Sequence, residues 1–130
     1  MVRKLIFETN KDKGRTGLAL AIGYFGSHGY TVSIPLNDSQ DYDLLVDDGI
    51  QILKVSVKAT AQIASSGASI VSLRNTGGTK GTVYGREVDK NIDFVFVVND
   101  KNEMWLLPKM ILTTNSMNLG EKYNQYKLEL

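Results

Sequence analysis

An acidic residue and a lysine in two neighbouring strand-like segments of this 130-residue chain have the chemistry to act together on a phosphodiester. Asp43 opens the segment 43–46, and Lys58 lies near the end of the segment 51–59. A carboxylate can hold Mg²⁺, a hard cation that takes oxygen ligands and keeps several of its waters. The metal polarises a phosphate and lowers the pKa of a bound water, and a nearby ammonium stabilises the charge that develops. The two residue types therefore indicate metal-dependent hydrolysis.

The spacing between the two segments predicts that the acid and the ammonium meet. Asp48-Gly49 is typical of a tight hairpin turn, which would pair strand 43–46 with strand 51–59. In that hairpin Asp43 lies opposite the far end of the second strand, where Lys58 is. The alternative is a hairpin with a solvated face, on which Lys and Asp side chains aid solubility and block pairing at the edge.

The second strand of this hairpin has two different faces. Side chains alternate between the faces of a strand, and the apolar face is expected to pack on the first helix. The apolar face is formed by Leu53, Val55 and Val57, and the polar face by Lys54, Ser56 and Lys58.

The rest of the chain predicts one α/β domain over residues 1–130. A helix is expected from Lys13-Gly14 to about Gly29, with apolar residues at the spacing of a packed helix face. We see no internal repeat, low-complexity segment or linker. The predicted strands are 31–35, 43–46, 51–59, 69–73, 91–98 and 104–107, and a short helix at 110–112 precedes a polar tail with regular Tyr and Leu residues.

Composition excludes several classes of protein. The net charge is only +1, so bulk charge does not indicate nucleic-acid binding. There are no cysteines, which excludes disulfides and thiolate metal sites. No apolar run approaches the roughly 18 residues of a membrane span, and the N-terminus does not have the pattern of a secretory signal. We therefore expect a cytoplasmic protein without a membrane partner.

Several motifs resemble one nuclease family. The runs 41–49 and 53–58 are similar to the D-x(n)-(E/Q)-x-K core of PD-(D/E)XK nucleases, and the run 29–36 resembles the GY-x-VSIP strand of its members associated with group I introns. The runs 89–98, 105–108 and 119–123, with Tyr126, extend the similarity over nearly the whole chain.

The resemblance implies a fold, an activity and partners. The expected fold is a restriction-endonuclease-like core, α/β in class, with a mixed, mainly antiparallel sheet flanked by helices. The expected activity is Mg²⁺-dependent cleavage of double-stranded DNA. Cyanobacterial intron-encoded members act as homing endonucleases on long sites and as homo-oligomers, so we expect a dimer or a tetramer.

The family's site residues carry over onto four positions. Asp43 would be the main metal ligand, and Lys58 would orient the attacking water. Ser56 occupies the position where the family has Glu or Gln, so it is the candidate for the second metal-binding and catalytic position. Many members also carry a Glu in the first helix, but residues 14–29 contain no acid, and Glu8 or Asp12, just upstream, could supply one.

The departures from the family pattern leave alternatives open. An acid-poor site fits a weakened nuclease or a DNA-binding relative as well as an active enzyme. A Holliday-junction-resolving nuclease has the same fold. In each case DNA contacts are expected from Lys54, on the polar strand face, and from basic residues in or near a Gly/Thr-rich stretch: Arg74, Lys80 and Arg86.

Overall fold

The computed structural model describes residues 4–37, 40–73 and 92–129 and contains one α-helix among them, α1, which spans Asn10–Ser27. It begins three residues before the start predicted from its apolar pattern, because a capping box closes its N-terminus. The Thr9 hydroxyl accepts the Asp12 backbone N–H at 3.0 Å, and the Asp12 carboxylate accepts the Thr9 backbone N–H at 3.2 Å.

Eight strands form two sheets in the described residues. Six of them make the central sheet, in the order β1-β2-β3-β5-β6-β8, and β4 and β7 pair separately. All neighbours are antiparallel except β3 and β5, which run parallel. The strands are β1 Thr31–Ser33, β2 Leu44–Asp47, β3 Ile52–Thr60, β4 Ser69–Ser72, β5 Phe94–Asn99, β6 Met104–Pro108, β7 Ser116–Leu119 and β8 Lys127–Leu128.

The central sheet is covered on both faces. Helix α1 packs on one face, where Ala21 and Phe25 are buried with Val55 and Phe96. The helix lies close to the sheet at Gly17, where an added Cβ would come within 3.2 Å of the Ala59 Cβ. The β4–β7 sheet covers the other face and forms a second hydrophobic core with it. In this core Val71, Met117 and Leu119 pack against β5 and β6.

Strand β5 is the centre of the domain. Its residues 95–99 are all buried, because alternate side chains enter the two cores. A continuous run of apolar residues of this kind is typical of a strand that is shielded from water on both faces. β3, the strand that carries Lys58, is the parallel neighbour of β5, so its pairing with the buried strand holds β3 in place.

Several sequence expectations are confirmed and others need correction. The hairpin of β2 and β3 forms, and Val55 and Val57 face α1 as expected. β1 is shorter than 31–35, and the helix expected at 110–112 is a 3-10 turn at Lys109–Ile111. The tail, expected as a polar segment whose Tyr and Leu residues dock onto a sheet or a second subunit, forms β7, a 3-10 helix at Glu121–Tyr126 and β8, and β8 pairs with β6.

The architecture confirms the expected fold class. A mixed, mainly antiparallel sheet with a helix packed on it is the restriction-endonuclease-like arrangement that the motifs implied. Among the residues described, no helix is long and apolar enough to cross a membrane.

Candidate active site

The candidate site lies where β2 ends and β3 continues. The backbone N–H of Asp43 donates to the Val55 carbonyl at 2.8 Å and closes the β2–β3 ladder. The next donor on β3 is the Val57 N–H, which would meet a backbone carbonyl if β2 continued. Instead it donates to the Asp43 Oδ2 at 2.7 Å. The carboxylate thus takes the place of the missing strand and is held against β3.

Ser56 and Lys58 lie on the same side of the sheet as the Asp43 side chain. Ser56 is buried, with 7% of its surface exposed, and directly precedes Val57, whose backbone N–H holds the Asp43 carboxylate. In the parallel register Ser56 pairs with Val95 and Lys58 with Val97, which both belong to the core under the β4–β7 sheet. As the hairpin predicted, the Asp43 carboxylate lies at the Val57 backbone, between Ser56 and Lys58, and its charge interacts with that of Lys58. The roles of the three side chains in catalysis stay predictions.

The charges of Asp43 and Lys58 are perturbed by their surroundings. Asp43 is open to solvent on one side, yet desolvation by the surrounding protein raises the pKa of its carboxyl above the ordinary 3.8. The Val57 N–H, the Lys58 ammonium and the Ser56 hydroxyl each lower this pKa without cancelling the effect of burial. Burial also lowers the pKa of Lys58 from 10.5, and the nearby Asp43 charge offsets part of that change. Perturbed titrating groups of this kind are frequent at functional sites.

The oxygen atoms at this position fit a cation only with help from outside the chain. Asp43 supplies a carboxylate and Ser56 a short hydroxyl. Within ranges 4–37, 40–73 and 92–129, no group of three or more His, Cys, Asp or Glu side chains could hold a metal ion. Mg²⁺ is commonly held by one or two carboxylates together with substrate phosphates and waters. The donor set therefore suits Mg²⁺ when a phosphate completes the shell.

Glu8 lies just before the N-terminus of α1, which the sequence did not indicate. It lies one residue before Thr9, the N-cap of α1, and is exposed. The described residues do not assemble it into a group of three or more acids with Asp43. Its expected role as an additional metal ligand therefore has no supporting geometry here and stays a prediction.

The described residues include one of the four candidate DNA-binding residues, Lys54. The ammonium of Lys54 lies 5.6 Å from the centroid of the Tyr42 ring, next to the site in sequence and on the polar face of β3. The Lys54 backbone N–H donates to the Asp93 carboxylate at 2.8 Å, which fixes the start of the β3–β5 pairing. Three further candidates, Arg74, Lys80 and Arg86, lie outside the residues that the structure describes.

Sequence reasoning missed Tyr42 and Asp93 as neighbours of the site. Tyr42 directly precedes Asp43, and its ring packs against the core under the β4–β7 sheet. Asp93 directly precedes the apolar run of β5. Adjacency to Asp43 was a usable signal for Tyr42. The signal for Asp93 requires the β3–β5 pairing, which no local pattern gives.

Comparisons with known proteins agree with this geometry. Residues 8–128 match the family described as PD-(D/E)XK endonuclease. Among solved structures, one described as a bacterial homing endonuclease, I-Ssp6803I, is similar with a TM-score of 0.75 at 23% sequence identity, over 92% of this chain and 88% of that chain. None of the curated proteins compared with the chain matches it. Since the family match extends over nearly the whole chain, this protein belongs to the PD-(D/E)XK endonuclease family.

Proposed function

We propose that the chain is a Mg²⁺-dependent endonuclease that hydrolyses phosphodiester bonds of double-stranded DNA. The observation that carries the proposal is the meeting of Asp43, Ser56 and Lys58 at the end of β2. The family match supports a nuclease, and a carboxylate beside an ammonium suits the hydrolysis of a phosphodiester. A magnesium ion bound at this site would supply a polarised phosphate and a water of lowered pKa.

Each of the three side chains has a part in this proposal. Asp43 would bind the metal through the lone pairs of its carboxylate oxygens that do not accept a hydrogen bond from β3. Lys58 orients the attacking water and stabilises the negative charge that develops on the phosphate. Ser56 stands at the second acidic position of the family motif. A symmetric oligomer would supply one site for each strand of the duplex, so we propose a dimer or a tetramer.

A homing role is the finer part of the proposal. The similar structure described as a bacterial homing endonuclease supports it, and so do the intron-associated motifs at residues 29–36 and 119–123. A homing enzyme recognises a long site, which a chain of 130 residues reaches most easily as a symmetric oligomer. The natural substrate is then an intronless copy of the host gene that carries a group I intron.

The acid-poor site favours a second candidate, a DNA-binding relative with weak or no cleavage. It rests on the hydroxyl of Ser56 at a position for Glu or Gln. It also rests on the lack, among the described residues, of any group of three or more His, Cys, Asp or Glu side chains that could hold a metal ion. Retained DNA binding without Mg²⁺-dependent cleavage would favour this candidate. Preferential cleavage of a four-way junction over a linear duplex would instead favour a junction-resolving nuclease.

Cleavage assays with matched variants test the proposal. The purified chain is incubated with intronless host DNA and with a four-way junction, with Mg²⁺ or EDTA, and the ends are mapped. We expect Asp43→Asn and Lys58→Ala each to lower the cleavage rate at least about 100-fold, the scale of a lost catalytic group, while DNA binding persists. The controls Asp100→Asn and Lys101→Ala make the same changes at exposed residues that follow β5. Unchanged cleavage in either site variant would refute the assignment of these residues.

A further inference from the structure

Lys54 is held both at its backbone and at the end of its side chain. Its backbone N–H donates to the Asp93 carboxylate at 2.8 Å, and the Asp93 backbone N–H donates to the Lys54 carbonyl at 2.8 Å. These two hydrogen bonds fix the backbone where the β3–β5 pairing begins. The ammonium lies 5.6 Å from the centroid of the Tyr42 ring. The two anchors together define where the positive charge of Lys54 lies.

Tyr42 is itself held in place by the protein interior. Its ring is half-buried and packs against the core under the β4–β7 sheet. The residue directly precedes Asp43, whereas the strand pairing sets Lys54 opposite Leu45. The contact with Tyr42 therefore directs the Lys54 side chain toward the end of β2, where the candidate site lies. Without the ring, the flexible four-carbon stem of a lysine would leave the ammonium free to move through many rotamers.

The ring holds the Lys54 ammonium without neutralising it. Lys127 shows the contrast, because its ammonium lies 5.5 Å from the centroid of the Trp105 ring and also 2.7 Å from a carboxylate oxygen of Glu103. No ion pair between described residues includes Lys54. An aromatic face attracts a cation through its quadrupole and adds no negative charge. The charge of Lys54 is therefore kept for an anion that comes to the site.

From these contacts we propose that Tyr42 is a positioning residue, which holds the Lys54 ammonium beside the candidate site so that it binds a phosphate next to the one that is cut. The proposal rests on the nuclease function proposed above and adds to it a division of tasks. Lys58 acts on the phosphate that reacts, whereas Lys54 acts on the binding of DNA. Tyr42 acts through the face of its ring, so its hydroxyl is not needed.

NMR of the DNA-free protein tests the placement of the ammonium. Protons that lie over the face of an aromatic ring resonate upfield of their usual position. We expect the ε-methylene protons of Lys54 to lose this shift in Tyr42→Leu and to keep it in Tyr42→Phe. The same protons of Lys127, beside Trp105, serve as the internal reference and should not change. An unchanged Lys54 signal in Tyr42→Leu overturns the proposal.

A double-mutant cycle tests the role in binding, with a fluorescently labelled linear duplex of arbitrary sequence in EDTA, which prevents cutting. Lys54→Met should weaken binding and reduce its salt dependence by about one unit of slope, the effect of one phosphate contact. Tyr42→Leu should weaken binding about two- to fivefold, the scale of an exposed cation–π contact, and Tyr42→Phe should not. Tyr42→Leu should have no further effect when Lys54 is already Met, because the ring acts only through that lysine. The control Lys127→Met should keep the salt slope.

The outcomes separate a positioning role from a structural one. Equal weakening by Tyr42→Leu with and without Lys54 overturns the proposal, and urea unfolding under the assay conditions shows that each variant is folded. The single-turnover cleavage rate at saturating DNA should be unchanged in Tyr42→Leu, and a large loss there would assign Tyr42 to the chemical step instead. A chain that binds and cleaves DNA but shows no coupling between the two residues contradicts this proposal alone. A chain that does not bind DNA contradicts the proposed nuclease, and the phosphate contact of Lys54 with it.

Discussion

Gly17 sets how closely α1 can approach the strand that carries the site. A Cβ at this position would lie 3.2 Å from the Ala59 Cβ and 3.4 Å from one methyl group each of Val57 and Val98. The Ala59 Cβ is attached directly to the backbone of a central strand, so it cannot swing aside as the end of a long side chain could. Substitution of Gly17 by Ala therefore forces the helix away from β3.

The expected cost can be worked out against a control in the same helix. Gly23 has no atom within 4 Å of an added Cβ, so Gly23→Ala should give only the gain in helix propensity, about 0.5–1 kcal/mol. Gly17→Ala gains the same amount but adds overpacking, which costs about 1–3 kcal/mol. We expect Gly17→Ala to lower the free energy of unfolding by about 1 kcal/mol. The free energy of unfolding of Gly17→Ala should then lie roughly 2 kcal/mol below that of the control Gly23→Ala.

Urea unfolding of both variants and of the unchanged protein checks this prediction. The two variants should shift the midpoint in opposite directions, with an unchanged m-value. Equal stabilisation by Gly17→Ala and Gly23→Ala would show that the helix does not rest on β3 at Gly17.

Three further predictions concern the site and its surroundings. Asp43→Asn should stabilise the metal-free protein at pH 7, by less than about 1 kcal/mol because Asp43 is partly solvated. The raised pKa of Asp43 means that the folded state binds a proton more tightly than the unfolded state, so the unchanged protein, but not the variant, should gain stability from this group as the pH falls through that pKa. Urea unfolding of both proteins at pH 7 and in the acid range tests this. Ser56→Gln or Ser56→Glu adds an oxygen that can reach an ion held by Asp43, and either change should raise Mg²⁺-dependent cleavage with little change in DNA affinity; if neither does, Ser56 is not the missing ligand position. Neutralising Arg74, Lys80 and Arg86 should weaken DNA binding and reduce its salt dependence by about one unit of slope per lost phosphate contact, and an intact slope in a titration with salt would exclude that loop from the DNA.

The β2–β3 hairpin was predictable because its signals are local. Asp48-Gly49 indicates the turn, and the alternation of Val55 and Val57 with polar residues gives the two faces. Together they predict the pairing, so Asp43 could be placed near the far end of the second strand, where residues 56–58 lie, without a structure. The fold class and the position of the candidate site followed from this hairpin and from the family resemblance.

Other elements depend on partners that are distant in sequence. The parallel direction of β3 and β5 is not encoded in the apolar run 94–98, which would suit either direction. Strand β7 is only four residues long, and its burial of Met117 and Leu119 becomes a signal once β4 is known to lie beside it. The start of α1 was missed because the Thr9–Asp12 capping box is polar and lies outside the apolar periodicity.

The hydrogen bonds of the site are the part that sequence could not supply. The pattern placed Ser56 on the face of Lys58 but did not show that the Asp43 carboxylate would accept the Val57 backbone N–H. That contact depends on where β2 stops, and the end of a strand is set by tertiary structure and not by the residue types around it. The same reason hid Tyr42 and Asp93.

The parallel pairing of β3 with β5 has a consequence for the order in which the protein is built. The residues paired across these strands are 39 positions apart in the chain, as are Lys54 and Asp93 at the start of the pairing. During synthesis the β2–β3 hairpin can close as soon as it leaves the ribosome, because its pairing is local. Strand β5, beside which Ser56 is buried and Lys58 is half-buried, can pair with β3 only when residues 94–99 have emerged. A nascent chain without β5 therefore carries its acid and its lysine in water, where their pKa values are ordinary, and the perturbed pair forms only once β5 has joined the sheet.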